Sequence, residues 1–447
     1  MNTVHFISLG CPKNLVDSEI MLATLQNENY QVVELPEEAE VIVVNTCGFI
    51  EDSKQESLQA IFDMAEFKKK GKLKKLVMAG CLTQRYKEEL VKELPEVDLF
   101  VGSGAFQDLP KILKDHNIDK TKKSYFHQST FLQQESTPRQ NSQPSHRAYL
   151  KISEGCKKLC AFCAIPMIRG GLQSRTIKSI VSEAKLLVAG GVKEIIVISH
   201  DFTDYGWDLR KKQNLPDETP YELLKALSEQ SGAQWIRVLY QYPDALTDEM
   251  IQLFKEKSNL LNYFDMPLQH INDGVLQKMN RRMDKQKIQD VVNKIRKKMP
   301  DAVIRTQFIV GFPGETEEAF NELLDFVEMN KFEHVGCFQY SKEEGTKAAS
   351  FESQIENSVK EQRFNELMAL QKEISYEAQQ GHLGKTYQVL VDGVSEESEL
   401  LLQGRTFFQG PDIDGLVYIN DGKATKGDMV SVEITESHDY DLVGHII

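Results

Sequence analysis

The sequence of 447 residues has no run of about 18 apolar residues, so no segment is predicted to span a membrane. It also has no basic region followed by an apolar stretch near its start, and MNTVHFISLG therefore predicts no secretory signal. Basic residues are in deficit, with a net charge of −14 and a pI of about 5.3. This balance argues against a protein whose affinity rests mainly on phosphate contacts, and it is compatible with a basic protein partner.

Cysteine is scarce as well, with seven residues in the chain, an odd number. The odd count, together with the short loop CKKLCAFC, indicates a reducing compartment and metal use, and we expect a cytoplasmic protein. The hydrophobic content of 41% and the charged content of 27% are ordinary for a globular protein. The length predicts two or three domains, each able to bury a core.

The loop CKKLCAFC contains Cys156, Cys160 and Cys163, with three and then two residues between them. Three thiolates at this spacing can bind three corners of an iron–sulfur cube, and the fourth iron then lacks a nearby ligand. A tetrahedral zinc site needs four ligands, and the nearest histidine, His146, precedes the loop. A disulfide would leave one of the three cysteines unpaired. An iron–sulfur cluster with an open iron, suited to substrate chemistry, is therefore favoured.

Residues 1–117 alternate short apolar strands with helical patterns, which predicts a parallel, doubly wound α/β sheet. Cys11, Cys47 and Cys81 each come just after a predicted strand, and each lies beside a glycine. Ligands of open α/β sheets bind outside this edge, so the three thiols can meet in space. Three buried core cysteines are the alternative. The repeated position favours a second cluster site with three cysteine ligands.

Residues 118–147 are predicted to be a polar linker, and their composition indicates a flexible tether. Residues 148–380 contain six strand–helix units, which predict a partial α/β barrel rather than a closed eight-stranded one. Functional residues of such barrels lie at the carboxyl ends of the strands. The loop with the first three cysteines follows the first strand, in agreement with this rule.

Several polar groups and a glycine lie at or near the predicted strand ends of the barrel. Asp265 and Gln269 can hydrogen-bond a ribose, and Gly311 allows close approach of a cofactor to the backbone. Arg305 lies within the fifth strand, and His200, after the second, is a candidate acid or base. For His200 a satisfied surface or core histidine is the favoured interpretation. These signals are weak as bare residues, since any barrel end carries polar groups.

Residues 382–447 show alternating apolar patterns separated by Gly, Asp and Asn, which predict a small five-stranded β-barrel of the oligonucleotide-binding type. This segment has four Lys and Arg residues against twelve Asp and Glu residues, a net charge of −8. Such a surface is expected to repel a phosphate backbone and to attract a basic protein, so RNA contact is disfavoured.

The cysteine loop, with Phe162 just before its third cysteine, resembles the radical S-adenosylmethionine (radical SAM) signature. The resemblance implies that the open iron chelates SAM and that Phe162 lies near its adenine. SLGCPKNLVDSEIM, VNTCGFIEDSKQES and AGCLTQRY resemble the N-terminal domain of methylthiotransferases, which carry two 4Fe-4S clusters. YLKISEGC, RVLYQYPD, FDMPLQHI and RTQFIVGFPGETEE resemble the barrel motifs of that family, and DIDGLVYI and YDLVGHI resemble its C-terminal TRAM domain.

The residues after Cys11 and Cys47 favour the branch of the family that modifies a ribosomal protein. The resemblance then implies a methylthio group added to the β-carbon of an aspartate in small-subunit ribosomal protein twelve, with electrons from a flavodoxin- or ferredoxin-like donor. Two alternatives stay open: methylthiolation of adenosine in tRNA, and a non-catalytic iron–sulfur carrier. The implied cluster ligands are Cys11, Cys47, Cys81, Cys156, Cys160 and Cys163. The implied SAM-binding residues are Phe162, Asp265, Gln269, Arg305 and Gly311.

Overall fold

A six-stranded parallel sheet forms the N-terminal domain in the computed structural model, which describes residues 2–128 and 131–447. Its strands are β1 Thr3–Ser8, β2 Gln31–Val32, β3 Val41–Thr46, β4 Lys75–Gly80, β5 Leu99–Gly102 and β6 Ser124–Tyr125. Its helices are α1 Pro12–Asn27, α2 Glu51–Ala65, α3 Phe67–Lys70, α4 Cys81–Tyr86, α5 Glu88–Glu93 and α6 Leu109–Ile118. The strand order β2-β1-β3-β4-β5-β6 confirms the doubly wound α/β sheet.

Strand β3 shows why this sheet is parallel and covered on both faces. All six residues of VIVVNT are buried, and continuous apolar runs are typical of strands with helices on both sides. The sheet also extends further along the chain than the sequence indicates. Strand β6 pairs with β5 and lies within residues 118–147, which were predicted to be linker.

The remaining linker is fixed in place rather than flexible around Arg139. The Arg139 guanidinium is 5% exposed and forms ion pairs with Glu19 at 2.7 Å and with Glu183 at 2.6 Å. It also donates to the carbonyl oxygen of Tyr149 at 2.7 Å. The prediction of a flexible tether is therefore wrong here. Composition could not reveal it, because the ordering partners are buried carboxylates of the two flanking domains.

The central domain is built of two three-stranded parallel sheets, β11-β10-β7 and β12-β13-β14. Its strands are β7 Arg147–Lys151, β8 Ser153–Glu154, β9 Gln173–Ser174, β10 Glu194–Ile198, β11 Trp235–Val238, β12 Tyr263–Gln269, β13 Val303–Val310 and β14 His334–Gln339. Its helices are α7 Ile165–Arg169, α8 Ile177–Ala189, α9 Trp207–Lys212, α10 Pro220–Gln230, α11 Asp248–Glu256, α12 Asp273–Lys278, α13 Lys285–Lys298, α14 Glu317–Asn330 and α15 Asn357–Gln380. An isolated bridge between Ile236 and Leu260 links the two sheets. The six main strands confirm the partial barrel.

The C-terminal domain is a closed five-stranded barrel in the order β15-β16-β17-β19-β18, as predicted. Its strands are β15 Thr386–Val394, β16 Leu402–Arg405, β17 Val417–Asp421, β18 Met429–Ser437 and β19 Leu442–Ile446. It docks near the amino ends of the central strands, where Arg405 pairs with Glu194 at 2.7 Å and Tyr263 donates to Asp414 at 2.6 Å. Part of its acidic charge is therefore used in docking rather than displayed.

Helix α1 joins the N-terminal domain to the barrel. It is buried on several sides, and even its Lys13, Asp17 and Glu19 are 4% exposed or less. Helices buried all round lie between two layers of structure, and α1 indeed packs on its own sheet and on β7. In the described ranges, no helix is both long enough and apolar enough to cross a membrane.

Candidate active site

Three adjacent strands place the N-terminal cysteines at one edge of their sheet. β1, β3 and β4 are neighbours in register, with Ser8 opposite Asn45 and Thr46 opposite Gly80. The cysteines Cys11, Cys47 and Cys81 follow these three strands directly or within a short turn. The structure thus brings the three thiols to the same carboxyl edge, as the strand pattern predicts. Their role as cluster ligands stays a prediction.

Glycine at position 10 is what lets the first two cysteine loops approach each other. Gly10 has φ +84°, and a Cβ there would lie 2.7 Å from Cβ and 2.9 Å from Sγ of Cys47. Asparagine side chains fix the same loops: Asn14 donates to the carbonyl of Leu9 at 2.8 Å, and Asn45 donates to the carbonyl of Asn14 at 2.8 Å. The cysteine edge is therefore held in shape by the protein itself.

The barrel contributes a cation to this N-terminal cysteine site. Arg169, at the end of α7, donates to Sγ of Cys81 from Nε at 3.3 Å and from Nη2 at 3.2 Å. Burial raises the pKa of the Cys81 thiol to about 12, and the Arg169 guanidinium opposes that rise. Iron binds the thiolate rather than the thiol, so this cation supports the form that a metal cluster needs.

The second set of cysteines lies in the loop after β8, shaped by backbone contacts. Gly155 has φ +64°, and a Cβ there would lie 2.2 Å from the carbonyl oxygen of Gly171. The N–H of Lys158 donates to Sγ of Cys156 at 3.4 Å, and the N–H of Cys163 donates to the carbonyl of Cys160. Burial raises the pKa of both Cys156 and Cys163 to about 12. The loop carries thiols that are close together in the sequence, and the N–H of Lys158 points toward the thiol of Cys156.

The chemistry of both cysteine sets fits an iron–sulfur cube. All seven cysteines of the chain are free thiols. In residues 2–128 and 131–447, no group of three or more Cys, His, Asp or Glu side chains converges as a ligand set for one metal ion. A cube differs from a single ion because each thiolate binds a different iron. Three thiols that do not converge on one point therefore suit a cluster better than a single zinc ion, whose ligands must converge.

A buried ion network lies beside Cys81, where α1 meets the barrel. Arg169 pairs with Asp17 at 2.5 Å and with Glu154 at 3.4 Å, and Lys151 pairs with the same two carboxylates. All four side chains are 4% exposed or less. Burial raises the pKa of Glu154, but the cations Lys151 and Arg169 outweigh it and hold that pKa at about 2. Asp17 belongs to α1, so the network fixes one domain against the other.

The predicted SAM-binding residues Asp265 and Arg305 bind each other. Oδ1 of Asp265 accepts from Arg305 at 2.9 Å, and Oδ2 accepts from the N–H of Tyr240 at 2.8 Å. Arg305 also lies 3.4 Å from Asp414 of the C-terminal domain. Both oxygens of Asp265 are thus engaged with the protein. The role of the two residues in cofactor binding stays a prediction.

The other three predicted SAM-binding residues lie at the carboxyl ends of β12 and β13 and in the cysteine loop. Gln269 ends β12 at an irregularity and has φ +73°. Gly311 has φ +70°, and a Cβ there would lie 2.2 Å from Cγ of Lys360, so this glycine makes room for that lysine. Phe162 is partly buried against a small apolar cluster that includes Phe312. Their contacts with SAM stay predictions.

Three further polar residues lie at the carboxyl ends of the barrel strands, and of these only His200 was identified from the sequence. In the described part of the chain, Oγ of Ser199, Nδ1 of His200 and Oε1 of Gln241 are buried without a hydrogen-bond partner. These residues follow β10 and β11, where a polar ligand would satisfy them. Burial lowers the pKa of His200 to about 3, so the imidazole is neutral near pH 7. The expectation of a satisfied histidine is wrong, because its Nδ1 has no partner there.

Lys13 is a further residue that the sequence argument used only as part of a motif. It is 4% exposed, and its ammonium lies 3.1 Å from the ring centroid of Tyr240. Burial lowers the pKa of Lys13 to about 8, against the attraction of Cys11. Its place two residues after Cys11, in a helix that faces the barrel, was the signal that could have identified it.

Comparisons with known proteins agree with this architecture. Residues 3–102 match an uncharacterized protein family, UPF0004, residues 150–327 match the radical SAM superfamily, and residues 383–447 match the TRAM domain. Among solved structures, the cobalamin-dependent S-adenosylmethionine radical enzyme OxsB is similar at a TM-score of 0.53 and 12% identity. That match covers 84% of this chain and 56% of OxsB, and at this identity it supports the fold alone.

Fold and site together define a radical SAM protein that carries an additional three-cysteine N-terminal domain and a TRAM domain. The ribosomal protein uS12 methylthiotransferase RimO of Bdellovibrio bacteriovorus is 60% identical to this chain, over 99% of the chain and 97% of that protein. RimO of Geobacter sulfurreducens is 46% identical, over 99% of the chain and 98% of that protein. The chain belongs to the RimO family of ribosomal protein uS12 methylthiotransferases.

Proposed function

We propose that this protein adds a methylthio group to the β-carbon of an aspartate in ribosomal protein uS12. The observation that carries the proposal is the pair of three-cysteine sets, one on each of two domains, with Arg169 running from the end of α7 to Cys81. Family membership at 60% identity over nearly the full chain supports uS12 as the substrate. A carbon–hydrogen bond of this kind is inert to acid–base chemistry, which agrees with a site built around cofactors.

Each cysteine set holds one 4Fe-4S cluster in this proposal. Cys156, Cys160 and Cys163 would hold the cluster that binds SAM, and the N-terminal set would hold the second. When bound, the clusters and SAM supply the one-electron chemistry, the sulfur and the methyl group. A small reducing protein, of flavodoxin or ferredoxin type, would deliver the electrons, and the free state of all seven cysteines agrees with a reducing, cytoplasmic setting.

The residues of the chain hold and orient these groups. Arg169 donates hydrogen bonds to Cys81 and keeps a positive charge beside the N-terminal set. The buried Asp17 and Lys151 pair fixes the spacing of the two domains. The partnerless Ser199, His200 and Gln241 groups offer polar contacts to SAM at the barrel mouth.

The test is a substrate-resolved assay of the reconstituted, reduced enzyme with SAM. Incubation with uS12 should add the mass of one methylthio group to the protein, and fragmentation should place it on an aspartate. Incubation with tRNA should leave the adenosines unmodified. A methylthio group found on tRNA alone would overturn the proposal in favour of the tRNA alternative. Absence of 5′-deoxyadenosine under reducing conditions would instead favour a non-catalytic carrier.

A further inference from the structure

Lys13 has a buried side chain that is paired with no carboxylate in the described part of the chain. Its side chain is 4% exposed, and within the described ranges no carboxylate lies within 4.0 Å of its Nζ and its side chain forms no hydrogen bond. Its close contact is the face of the Tyr240 ring, at 3.1 Å from the centroid. Lysine is almost never buried unless it is paired, since an uncompensated buried ammonium is strongly unfavourable. The position is therefore suited to an anion that another molecule supplies.

The surroundings of Lys13 belong to both domains of the site. Lys13 lies in the first turn of the sixteen-residue helix α1, whose N-cap is Cys11. The partial positive charge of a helix N-terminus attracts anions as well. Helix α1 packs on β7 of the barrel, and the Tyr240 ring that the ammonium contacts follows β11 of the barrel.

Tyr240 is held in an unfavourable backbone conformation against Lys13. It has φ +61° although it is not a glycine, a conformation that persists only where the surroundings impose it. Its N–H donates to Asp265 at 2.8 Å, and its carbonyl accepts from the N–H of Phe202 at 2.9 Å. Asp265 thus acts as a positioning residue: it holds Tyr240, and Tyr240 contacts the ammonium. Strain of this kind clusters at ligand sites.

We propose that Lys13 binds the side-chain carboxylate of the substrate aspartate, an inference that rests on the proposed function. The carboxylate carbon of aspartate is bonded directly to the β-carbon. A residue that holds the carboxylate therefore holds the reacting carbon one bond away, beside Cys11. An adenine base carries no anion at the corresponding place, so this ammonium also favours a protein substrate. Lys13 is in this account a substrate-binding and specificity-determining residue.

The test compares affinities in a four-way cycle with reconstituted holoenzyme. Wild type and Lys13→Met are each titrated with uS12 and with uS12 that has asparagine at the modified position. Each single change should weaken binding about 10- to 100-fold, the range for a charge-assisted hydrogen bond. The double change should be no weaker than either single change, because both remove the same contact. Lys13→Arg keeps the charge and should retain most of the affinity.

Control measurements distinguish binding of the substrate carboxylate by Lys13 from binding of other anions. Lys111→Met, an exposed lysine of the same domain, should bind both forms of uS12 as wild type does. In Lys13→Met the affinity for SAM should be unchanged. A changed SAM affinity would assign Lys13 to the SAM carboxylate and overturn the inference.

Two further outcomes are decisive whatever the folding of the variant. If wild-type enzyme binds uS12 and its asparagine form equally well, no group of the enzyme recognises the aspartate carboxylate, and the inference fails. If the two single losses add in the double change, Lys13 and the carboxylate act independently, and it fails too. Mass measurement on uS12 with the same wild-type preparation tests the proposed function separately. If the wild-type enzyme methylthiolates uS12 but the two affinity losses are additive, the proposed function stands and only the role of Lys13 is disproved.

Discussion

Substitution of Arg169 by glutamine perturbs the contact that links the barrel to the N-terminal cysteine set. The guanidinium is 1% exposed and binds Cys81, Asp17, Asn14 and Glu154. Its removal leaves Asp17 and Glu154, at 3% and 4% exposed, to share Lys151 alone. Removing one partner of a buried ion pair typically destabilises by about 3–5 kcal/mol, since the remaining charge is uncompensated. We expect a loss of this size for Arg169→Gln.

Differential scanning calorimetry of the apoprotein measures this loss. A change of about 3–5 kcal/mol should lower the Tm of the transition that includes the α1 interface by roughly 6–20 °C for a unit of this size. Lys372→Gln is the matched control, because its pair with Asp439 at 2.9 Å is 59% and 45% exposed. Exposed pairs contribute little to stability, because solvent screens them. The double variant Arg169→Gln with Asp17→Asn should lose less than the sum of the two single changes.

A Tm of Arg169→Gln equal to that of the Lys372→Gln control would refute this reasoning. It would mean that the two carboxylates find water or other cations when the guanidinium is gone. The network would then not fix one domain against the other, and the contact between Arg169 and Cys81 would be incidental.

Three further predictions follow from separate parts of the structure. A variant with Cys156→Ala, Cys160→Ala and Cys163→Ala should keep about four irons per chain if the N-terminal cysteines bind their own 4Fe-4S cluster, and iron analysis that finds none would contradict the second site. Glu343→Gln removes the carboxylate that pairs with Arg85 at 2.7 Å and with Lys54 at 3.2 Å. It should weaken docking of the N-terminal domain on the barrel by about 1.5–3 kcal/mol, which faster hydrogen exchange in α4 would reveal. Unchanged exchange would show that these two ion pairs are dispensable for docking. Burial lowers the pKa of His382 to about 4, below the value of about 6.5 for an unfolded chain. The stability that its neutral ring contributes is therefore complete above about pH 6.5 and is lost as the pH falls toward 4. His382→Phe, which keeps the stacking on Phe408, should flatten the fall in Tm between pH 7.5 and pH 5, and an equally steep fall would assign the pH dependence to other groups.

The cysteine positions could be predicted from the sequence because each depends on local signals. Cys11, Cys47 and Cys81 each follow a short apolar strand, and the carboxyl ends of neighbouring parallel strands share one edge. The same reasoning gave the six-stranded barrel and the closed C-terminal barrel. The local sequence pattern is therefore sufficient to predict the architecture of each domain.

The contacts between domains could not be predicted in this way. Arg169 and Cys81 are 88 residues apart in sequence, and Arg139 and Glu19 are 120 apart. No periodicity marks a buried charge whose partner lies on another domain. For the same reason the burial of Lys13 and the left-handed conformation of Tyr240 emerge only once α1 is docked on the barrel.

The central claim is that the barrel cysteines and the N-terminal cysteines do different parts of one reaction. The most direct test measures 5′-deoxyadenosine and methylthiolated uS12 together, in reconstituted and reduced Cys47→Ala with SAM. The account predicts that 5′-deoxyadenosine still forms, because Cys156, Cys160 and Cys163 are intact, while uS12 stays without a methylthio group. Full methylthiolation of uS12 by Cys47→Ala would contradict it.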